Sequence, residues 1–282
     1  MVTAPVNKII DSSVVDGPGN RTGIFLQGCN IACAYCHNPE TQNLCRGCGI
    51  CVQKCPAGAL KFADGKVIWD DARCCQCDTC IGVCPHDASP KVREMTPEEV
   101  LERVRGNMPF IRGITVSGGE CMLHPEWMTG LFRGAKELGL TTLIDSNGTV
   151  DFSLYPDLMA VCDGVMLDVK SWDKGIFRAL TGHDNTIVKK NLSILSGAGK
   201  LEELRIVCFE PFGNLCIDAT AVLEGVAETV GERKGEFLLK LIRFRNNGVR
   251  GVMASAPSPT AEWMEKLRLK AVELGFERIR IC

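Results

Sequence analysis

The sequence predicts an α/β protein, a partial (β/α) barrel into which a small cysteine-rich domain is inserted. Strand and helix signals alternate along most of the 282 residues, which favours parallel strands joined by crossover helices. Glycine and polar residues follow several predicted strands, at the positions where barrel folds carry their functional rim. One stretch, residues 40–92, interrupts this alternation, because it is rich in cysteine and lacks helical periodicity.

The predicted elements follow in chain order. An apolar run over residues 23–28 indicates a buried strand, and Thr96 followed by proline marks a capped helix start. The other predicted strands are residues 113–117, 141–145, 164–168, 204–208, 238–242 and 278–281, and the other predicted helices are residues 125–138 and 260–274. The predicted domains are a barrel core formed by residues 1–39 and 93–282, and an insert formed by residues 40–92.

Composition narrows the classes of function. A net charge of -2 gives no reason to expect nucleic acid or an anionic membrane surface as a partner. No apolar run approaches the roughly 18 residues that a membrane helix needs. Lys8, Asp11 and Arg21 interrupt the N-terminal region, where a signal peptide would need an apolar stretch. We therefore expect a cytoplasmic monomer, in which clustered cysteines bind metal rather than form disulfides.

The insert contains the same cysteine pattern twice. Each run has four cysteines with identical spacing and a proline after the fourth. This is the spacing of two-cluster ferredoxins, in which the fourth cysteine of each run ligates the other cluster. The predicted [4Fe–4S] ligand sets are Cys45, Cys48, Cys51 and Cys84 for one cluster, and Cys74, Cys77, Cys80 and Cys55 for the other. Cys75 lies off the spacing, and the alternatives are a zinc module or clusters that only staple a core-poor segment.

A third cysteine run follows a different rule. Cys29, Cys33 and Cys36 form a set of three, so a four-iron cluster bound by them would keep one iron open to a small molecule. With Tyr35 before the last cysteine and His37 after it, the run resembles that of the radical S-adenosylmethionine (SAM) enzymes. The resemblance implies a [4Fe–4S] cluster that binds SAM and cleaves it to a 5′-deoxyadenosyl radical. A structural metal site is the alternative.

Further segments resemble one family of radical SAM enzymes, the glycyl-radical-enzyme activating enzymes. The turn at residues 16–19, the Asn-Pro pair at residues 38–39 and the position of the insert are similar to that family. The resemblance implies a TIM-like partial barrel and an anaerobic oxidoreductase that removes a Cα hydrogen from a glycine of a partner glycyl-radical enzyme. It also implies flavodoxin or ferredoxin as the electron donor. The segment at residues 114–121 is similar to a little-characterised branch.

The same resemblance implies roles for individual residues. The implied catalytic residues are Cys29, Cys33, Cys36, Lys170 and Asp16. The implied SAM-binding residues are Tyr35, Cys36, His37, Gly118, Gly119, Glu120, Ser146, Asp168, Val169, Lys170 and Arg205. Glu120 would receive the SAM amino group and Lys170 its carboxylate. Asp145, Ser146 and Asp168 would offer oxygen ligands to a monovalent cation, by analogy with the rule for hard cations.

Several of these assignments have simpler alternatives. Gly118 to Glu120 can form an ordinary turn after a strand. Asp168 and Lys170 can form a solvated ion pair on one side of a strand, and Asp16 can be only part of a turn. Arg245 stands where the family often has a histidine, which is a departure from the pattern. Two other functions remain, a radical SAM enzyme acting on a small molecule or another peptide, and a multi-cluster electron-transfer protein. The remaining cysteines are expected to be small buried hydrophobes: Cys121, Cys162, Cys208, Cys216 and Cys282.

Overall fold

A computed structural model describes residues 2–282. The strands in this range are β1 (Ala4–Ser13), β2 (Arg21–Leu26), β3 (Leu60–Ala63), β4 (Lys66–Trp69), β5 (Arg93–Met95), β6 (Gly113–Gly118), β7 (Thr141–Ser146), β8 (Gly164–Asp168), β9 (Leu201–Cys208), β10 (Leu238–Arg243) and β11 (Ile279–Ile281). The helices are α1 (Thr79–Gly82), α2 (Pro97–Asn107), α3 (Pro125–Glu137), α4 (Pro156–Val161), α5 (Lys174–Thr181), α6 (Thr186–Gly197), α7 (Ala219–Val230) and α8 (Ala261–Glu273). None of these helices has the length and apolar character required to cross a membrane.

The main sheet positions the site. Its strand order is β11-β10-β9-β8-β7-β6-β2-β1-β5. All neighbours from β2 to β11 pair in parallel, so their carboxyl ends meet at one edge of the sheet. β1 differs from the expected parallel pattern, because it pairs antiparallel with both β2 and β5. The predicted α/β class with a mostly parallel sheet is confirmed, while the partial barrel and the domain boundaries stay predictions.

Local sequence signals explain where elements begin. Thr96 caps α2 through a capping box, since its hydroxyl accepts from Glu99 N at 3.3 Å while the Glu99 carboxylate accepts from Thr96 N at 2.7 Å. The main core lies between the sheet and its helices, with Trp127 and Phe177 fully buried. The indole of Trp127 donates to Met95 O at 2.8 Å and so ties α3 to β5.

The outlying cysteines divide into two groups. Cys121, Cys162 and Cys208 are buried, as expected for small apolar side chains. Cys216 is only partly buried and Cys282 is exposed, so the prediction of burial was wrong for these two. The reason is their location, because Cys216 lies in the loop between β9 and α7, and Cys282 follows β11 at the edge of the sheet.

The insert has a small core of its own. β3 and β4 form a separate antiparallel sheet, and Leu60 packs with Cys51 and Cys80 in a cluster distinct from the main core. The two ends of the segment meet where Asn43 bridges to Ala88. Few apolar side chains fill this core, so burial of apolar surface alone stabilises it little.

Candidate active site

The loop with the first three cysteines lies at the carboxyl edge of the sheet, directly after β2. Cys29 N donates to Gln42 O at 2.8 Å, which closes the loop at its base. Ala34 N donates to Leu180 O at 2.8 Å, which anchors the middle of the loop to α5. The loop is therefore held from both sides against the strand ends.

A cavity of about 200 Å³ opens between this loop and the strand ends. The predicted site residues that line it are Cys29, Cys33, Tyr35, Cys36, His37, Gly118, Gly119, Asp145, Ser146, Asp168 and Lys170. The predicted site residues outside its lining are Asp16, Glu120, Val169 and Arg205. The structure thus brings the three cysteines together with polar side chains that follow β6, β7 and β8.

Gly118 and Gly119 fit where no other residue would. Gly118 has a φ of +125°, a conformation that L side chains rarely adopt. A Cβ atom on Gly119 would lie 2.1 Å from Gly28 O, so the strand end and the cysteine loop approach each other at backbone distance. Two hydrogen bonds fix this approach, from Gly119 N to Leu26 O at 2.9 Å and from Glu120 N to Gly28 O at 2.8 Å.

Lys170 supplies the positive charge of the cavity. Its Nζ lies 2.8 Å from Asp168 Oδ2, and its side chain is only 10% exposed. Burial lowers the pKa of Lys170, but the charge of Asp168 beside it outweighs burial and holds the pKa well above its ordinary value. The side chain is therefore an ammonium, close to the cysteine loop.

Glu120 lies beneath the cavity rather than in it. Its carboxylate accepts from Asn147 N at 2.7 Å, from Ser146 Oγ at 2.9 Å and from Met122 N at 3.0 Å. Burial raises the pKa of Glu120 to about 7, while these hydrogen bonds act in the opposite direction. Glu120 thus fixes the segment after β7, and its predicted contact with the SAM amino group stays a prediction.

We expect Glu120→Gln to lower stability, because both carboxylate oxygens accept and a glutamine offers only one acceptor. The new NH₂ group would face either Asn147 N–H or the other two donors, leaving a buried donor unsatisfied at a cost of about 1–3 kcal/mol. Thermal or urea unfolding of the apoprotein measures this cost, and Glu137→Gln on exposed α3 surface is the control. Equal stabilities of the two variants would contradict this role.

Arg205 belongs to a chain of buried charges on β7, β9 and β10. Its guanidinium contacts Asp145 Oδ2 at 3.0 Å and Glu203 Oε2 at 2.8 Å. Glu203 in turn accepts from Lys240 Nζ at 2.8 Å. Arg205 Nη2 also lies 2.9 Å from Met166 Sδ, so the side chain is fully engaged away from the cavity.

Asp16 and Val169 also lie outside the lining of the cavity. Asp16 is in the loop between β1 and β2, where Thr115 Oγ1 donates to its backbone oxygen at 2.6 Å. Its carboxylate faces Gly23, since a Cβ there would lie 3.2 Å from Asp16 Oδ2. Val169 is buried, and its N–H donates to Arg205 O at 2.9 Å, so it holds β8 and β9 in register.

The cysteine loop also contacts the segment around Arg245, where the sequence departs from the family pattern. The His37 ring nitrogen Nε2 lies 2.7 Å from Arg245 O, and the ring packs 5.7 Å from that of Phe244. The Arg245 side chain is exposed and does not line the cavity. Its backbone, rather than its guanidinium, therefore supports the loop.

Sequence reasoning missed some residues that line the cavity. Asn147 is the clearest case, because its Nδ2 donates to Cys29 Sγ at 3.7 Å and to Asn30 Oδ1 at 3.1 Å. Hydrogen bonds to ligating sulfurs are one means by which proteins set cluster potentials. Its position directly after Ser146, in the polar turn that ends β7, was the available signal. Val207, from the interior of β9, carried no signal at all.

The insert cysteines lie in two places. Cys55 lines a cavity together with Cys74, Cys77 and Cys80, and Cys75 also lines it. Burial, together with the proximity of Cys45, Cys80 and Cys48, raises the pKa of Cys51 to about 11. In the sequence, Cys84 stands between Ile81 and Asp87. Arg250 contacts both of these residues, and its Nη2 donates to Ile81 O at 2.9 Å.

The donor sets fit clusters better than single ions. No three His, Cys, Asp or Glu side chains within residues 2–282 converge on one ion. A four-iron cluster does not require this, because each thiolate ligates a different iron. Three thiols facing one cavity, beside the Lys170 ammonium, fit a cluster with an open iron. The Tyr35 hydroxyl is buried there and has no hydrogen-bond partner in the same part of the chain, which fits a further ligand.

The oxygen ligands suggested for a monovalent cation fit less well. Asp145 is already paired with Arg205 and Asp168 with Lys170, at 3.0 Å and 2.8 Å. Ser146 Oγ donates to Glu120 and accepts from Gly148 N. Arg205 and Lys170 therefore already supply positive charge to the two carboxylates that an added cation would bind.

The fold and the cavity together define an α/β protein with a cluster-binding loop at the carboxyl edge of a parallel sheet. A family model described as the Radical SAM superfamily matches residues 24–210. The chain therefore belongs to the radical SAM superfamily, which implies a [4Fe–4S] cluster and SAM as cofactors. The crystal structure of Streptococcus suis SuiB bound to S-adenosylmethionine has a similar fold, with a TM-score of 0.53 and 11% identity, over 91% of this chain and 48% of that chain.

Within this superfamily, several relatives are named as activating enzymes. The chain is 29% identical over 203 residues to the 4-hydroxyphenylacetate decarboxylase activating enzyme of Clostridium scatologenes, covering 65% of each chain. It is 33% identical over 201 residues to the choline trimethylamine-lyase activating enzyme of Oleidesulfovibrio alaskensis, again covering 65% of each. A Haemophilus influenzae protein described as a glycyl-radical enzyme activating enzyme is 28% identical over 300 residues, covering 99% of this chain and 96% of its own. The resemblance to the activating-enzyme family is confirmed.

Proposed function

We propose that this protein is a glycyl-radical-enzyme activating enzyme, which generates a radical on a backbone glycine of a partner protein. When bound, the cluster and SAM supply a 5′-deoxyadenosyl radical through one-electron cleavage of the sulfonium C–S bond. The observation that carries the proposal is one cavity lined by Cys29, Cys33 and Cys36 together with the buried ion pair of Lys170 and Asp168. The activating-enzyme names of its relatives support the same function.

The residues that line the cavity have separate roles in binding the cluster and SAM. Cys29, Cys33 and Cys36 hold the cluster through their thiolates, and Asn147 orients and polarises the Cys29 sulfur. The Lys170 ammonium binds the carboxylate of SAM, because a charge-assisted pair is strong in a site that excludes water. Gly118 and Gly119 let the end of β6 pack against Leu26 and the base of the cysteine loop, where a side chain would collide with backbone atoms, and so they hold that loop at the cavity.

Asp16 is proposed to receive the glycine loop of the partner. Its carboxylate faces the same interior as Asp145, whose pKa is raised by burial and, to a smaller extent, by Asp16. The loop that carries Asp16 includes exposed Val14 and Val15, which offer an apolar surface to a protein partner. The partner is therefore proposed to enter the interior of a partial barrel from the side of the loop between β1 and β2.

The insert is proposed to bind two further [4Fe–4S] clusters and to relay electrons to the SAM cluster. The cavity shared by Cys55 with Cys74, Cys77 and Cys80 supports the crossed ligand assignment. A second cavity is lined on one side by Cys33 and Cys36, and on the other by Asp87 and Arg250. Asp87 is three residues from Cys84 in the sequence. Of the two insert clusters, the one that Cys84 ligates is therefore proposed to lie nearer to the SAM cluster.

We expect Cys48→Ser and Cys77→Ser to slow activation by a protein electron donor by about 10-fold or more, because each removes one cluster ligand of the relay. Activation by a small, strong reductant is expected to fall much less, since that reductant can reach the SAM cluster directly. The initial rate of SAM cleavage with each reductant measures this, and Cys282→Ser, at an exposed cysteine outside the insert, is the control. Equal losses with both reductants would favour a purely structural role for the insert.

The proposed function includes no monovalent cation, since Arg205 and Lys170 already neutralise the two carboxylates. We expect SAM affinity at fixed ionic strength to be the same within about 2-fold in potassium, sodium and choline salts. Anaerobic equilibrium dialysis of SAM measures this. An affinity that falls in choline and returns with potassium would instead support the cation site on Asp145 and Asp168.

The decisive experiment is anaerobic incubation of the reconstituted enzyme with SAM, a reductant and a candidate glycyl-radical enzyme. The expected result is an electron paramagnetic resonance doublet from a glycyl radical on the partner. Deoxyadenosine release without any protein radical would favour the radical SAM reaction on a small molecule. Cluster reduction without SAM cleavage would favour the electron-transfer protein.

A further inference from the structure

The hairpin of β3 and β4 has one face with no covering element. Register pairs Leu60 with Trp69 and Phe62 with Val67, and Leu60, Val67 and Trp69 pack on the cysteine core. The opposite face carries Lys61 paired with Ile68, and Ala63 paired with Lys66. Ile68 is 53% exposed, so an apolar centre lies between two lysines on this face.

This hairpin lies directly over the first cysteine run of the insert. A Cβ on Gly47 would lie 2.2 Å from Gly65 O, so the run touches the hairpin turn at backbone distance. A Cβ on Gly49 would lie 3.3 Å from the Phe62 ring, which is itself 55% exposed. A partner on the outer face would therefore be separated from the loop that holds Cys45, Cys48 and Cys51 only by the hairpin itself.

The charge of this surface is uneven. Arg46, Lys54, Lys61 and Lys66 are exposed, and none of them forms an ion pair within the described chain. Asp64, in the turn of the hairpin, and Asp70, directly after β4, are exposed acidic residues nearby, and Arg73, before the second cysteine run, is one further exposed cation of the insert. The second cysteine run differs, because Asp71 and Asp78 beside it are paired with Arg93 and Lys91. The free positive charge of the insert is thus concentrated around the hairpin.

We propose that the outer face of this hairpin, with Arg46 beside its turn, is the docking surface for a small acidic electron-carrier protein. This inference rests on the proposed relay function of the insert. The unpaired cations steer an acidic partner, and the exposed apolar centre at Ile68 gives the short-lived complex a dry contact. Redox encounters of this kind need little buried area, which a two-stranded hairpin can supply. The carrier loses one electron and the insert gains it, and no bond forms or breaks.

The test measures reduction of the reconstituted holoenzyme without SAM or glycyl-radical partner. Reduced acidic flavodoxin is mixed anaerobically with wild type and with Lys61→Glu/Lys66→Glu, and bleaching of the cluster absorbance gives the second-order rate. We expect the variant to be slower by about 10- to 100-fold at low salt, with the difference shrinking as salt rises. Photoreduction by uncharged 5-deazariboflavin is expected to stay within about 2-fold of wild type, because it needs no charged docking surface.

Two controls keep the outcome specific. Lys8→Glu/Lys266→Glu reverses two exposed lysines outside the insert and is expected to leave the flavodoxin rate unchanged. Ile68→Gln keeps the charge of the surface and is expected to weaken the complex without removing the salt dependence. A hairpin variant that flavodoxin reduces at the wild-type rate, or that loses rate equally with both reductants, would overturn the proposal. Salt-dependent reduction without later SAM cleavage would leave this docking surface in place and contradict the proposed enzyme function instead.

Discussion

Cys33→Ala is expected to abolish SAM cleavage while most of the bound iron remains. Cys33 lines the cavity together with Cys29 and Cys36, and loss of one thiolate from a set of three leaves too few ligands to hold a cluster. Burial raises the pKa of the Cys33 thiol to about 12, so iron must displace a tightly held proton and no other group there replaces the thiolate. Deoxyadenosine production is expected to fall to background.

Iron and sulfide analysis separates this effect from unfolding. Because the insert has its own ligands, we expect about eight of about twelve irons to remain after anaerobic reconstitution. Cys162→Ala is the control, since Cys162 is a buried cysteine that lies away from the cavity. Retention of SAM cleavage by Cys33→Ala, or loss of all iron together with the fold, would contradict the assignment of a separate SAM cluster to this loop.

The fold was most predictable where burial is complete. β6 and β8 are short apolar runs that end in glycine or a charged residue, and both were found within one residue of their bounds. β1 escaped prediction because its burial is mixed and charges such as Lys8 and Asp11 break its apolar pattern. α5 escaped because it is only eight residues long, with few buried side chains.

The site was predictable at the level of positions but not of contacts. The cysteine spacing and the polar residues after the strands identified the lining of the cavity, since carboxyl ends of parallel strands meet at one edge. Sequence could not show that Glu120 turns inward to hold Asn147, or that Arg205 pairs with Asp145. These contacts join residues 27 and 60 positions apart, on different strands or just after them, and no local pattern encodes which side chain will reach which partner.

Lys170→Met is expected to weaken SAM binding by about 100-fold, which corresponds to about 2.7 kcal/mol. The ammonium that would meet the SAM carboxylate is lost, and Asp168 is left as an uncompensated carboxylate in a site where the lysine itself is only 10% exposed. Breaking such a pair by removing one partner costs stability as well, by about 3–5 kcal/mol when both groups are fully buried. Because Asp168 is 27% exposed, we expect a smaller loss in the unfolding experiment.

The double variant Lys170→Met/Asp168→Asn distinguishes a binding role from a structural one. Removing both charges eliminates the unpaired carboxylate, so we expect stability to recover to within about 1 kcal/mol of wild type. SAM affinity, measured by anaerobic equilibrium dialysis, is expected to stay low, because the ligand carboxylate still lacks its cation. If the double variant instead recovered both stability and SAM affinity, the pair of Asp168 and Lys170 would be a structural strand-end ion pair. Recovery of stability without recovery of SAM affinity would therefore assign Lys170 to binding the SAM carboxylate.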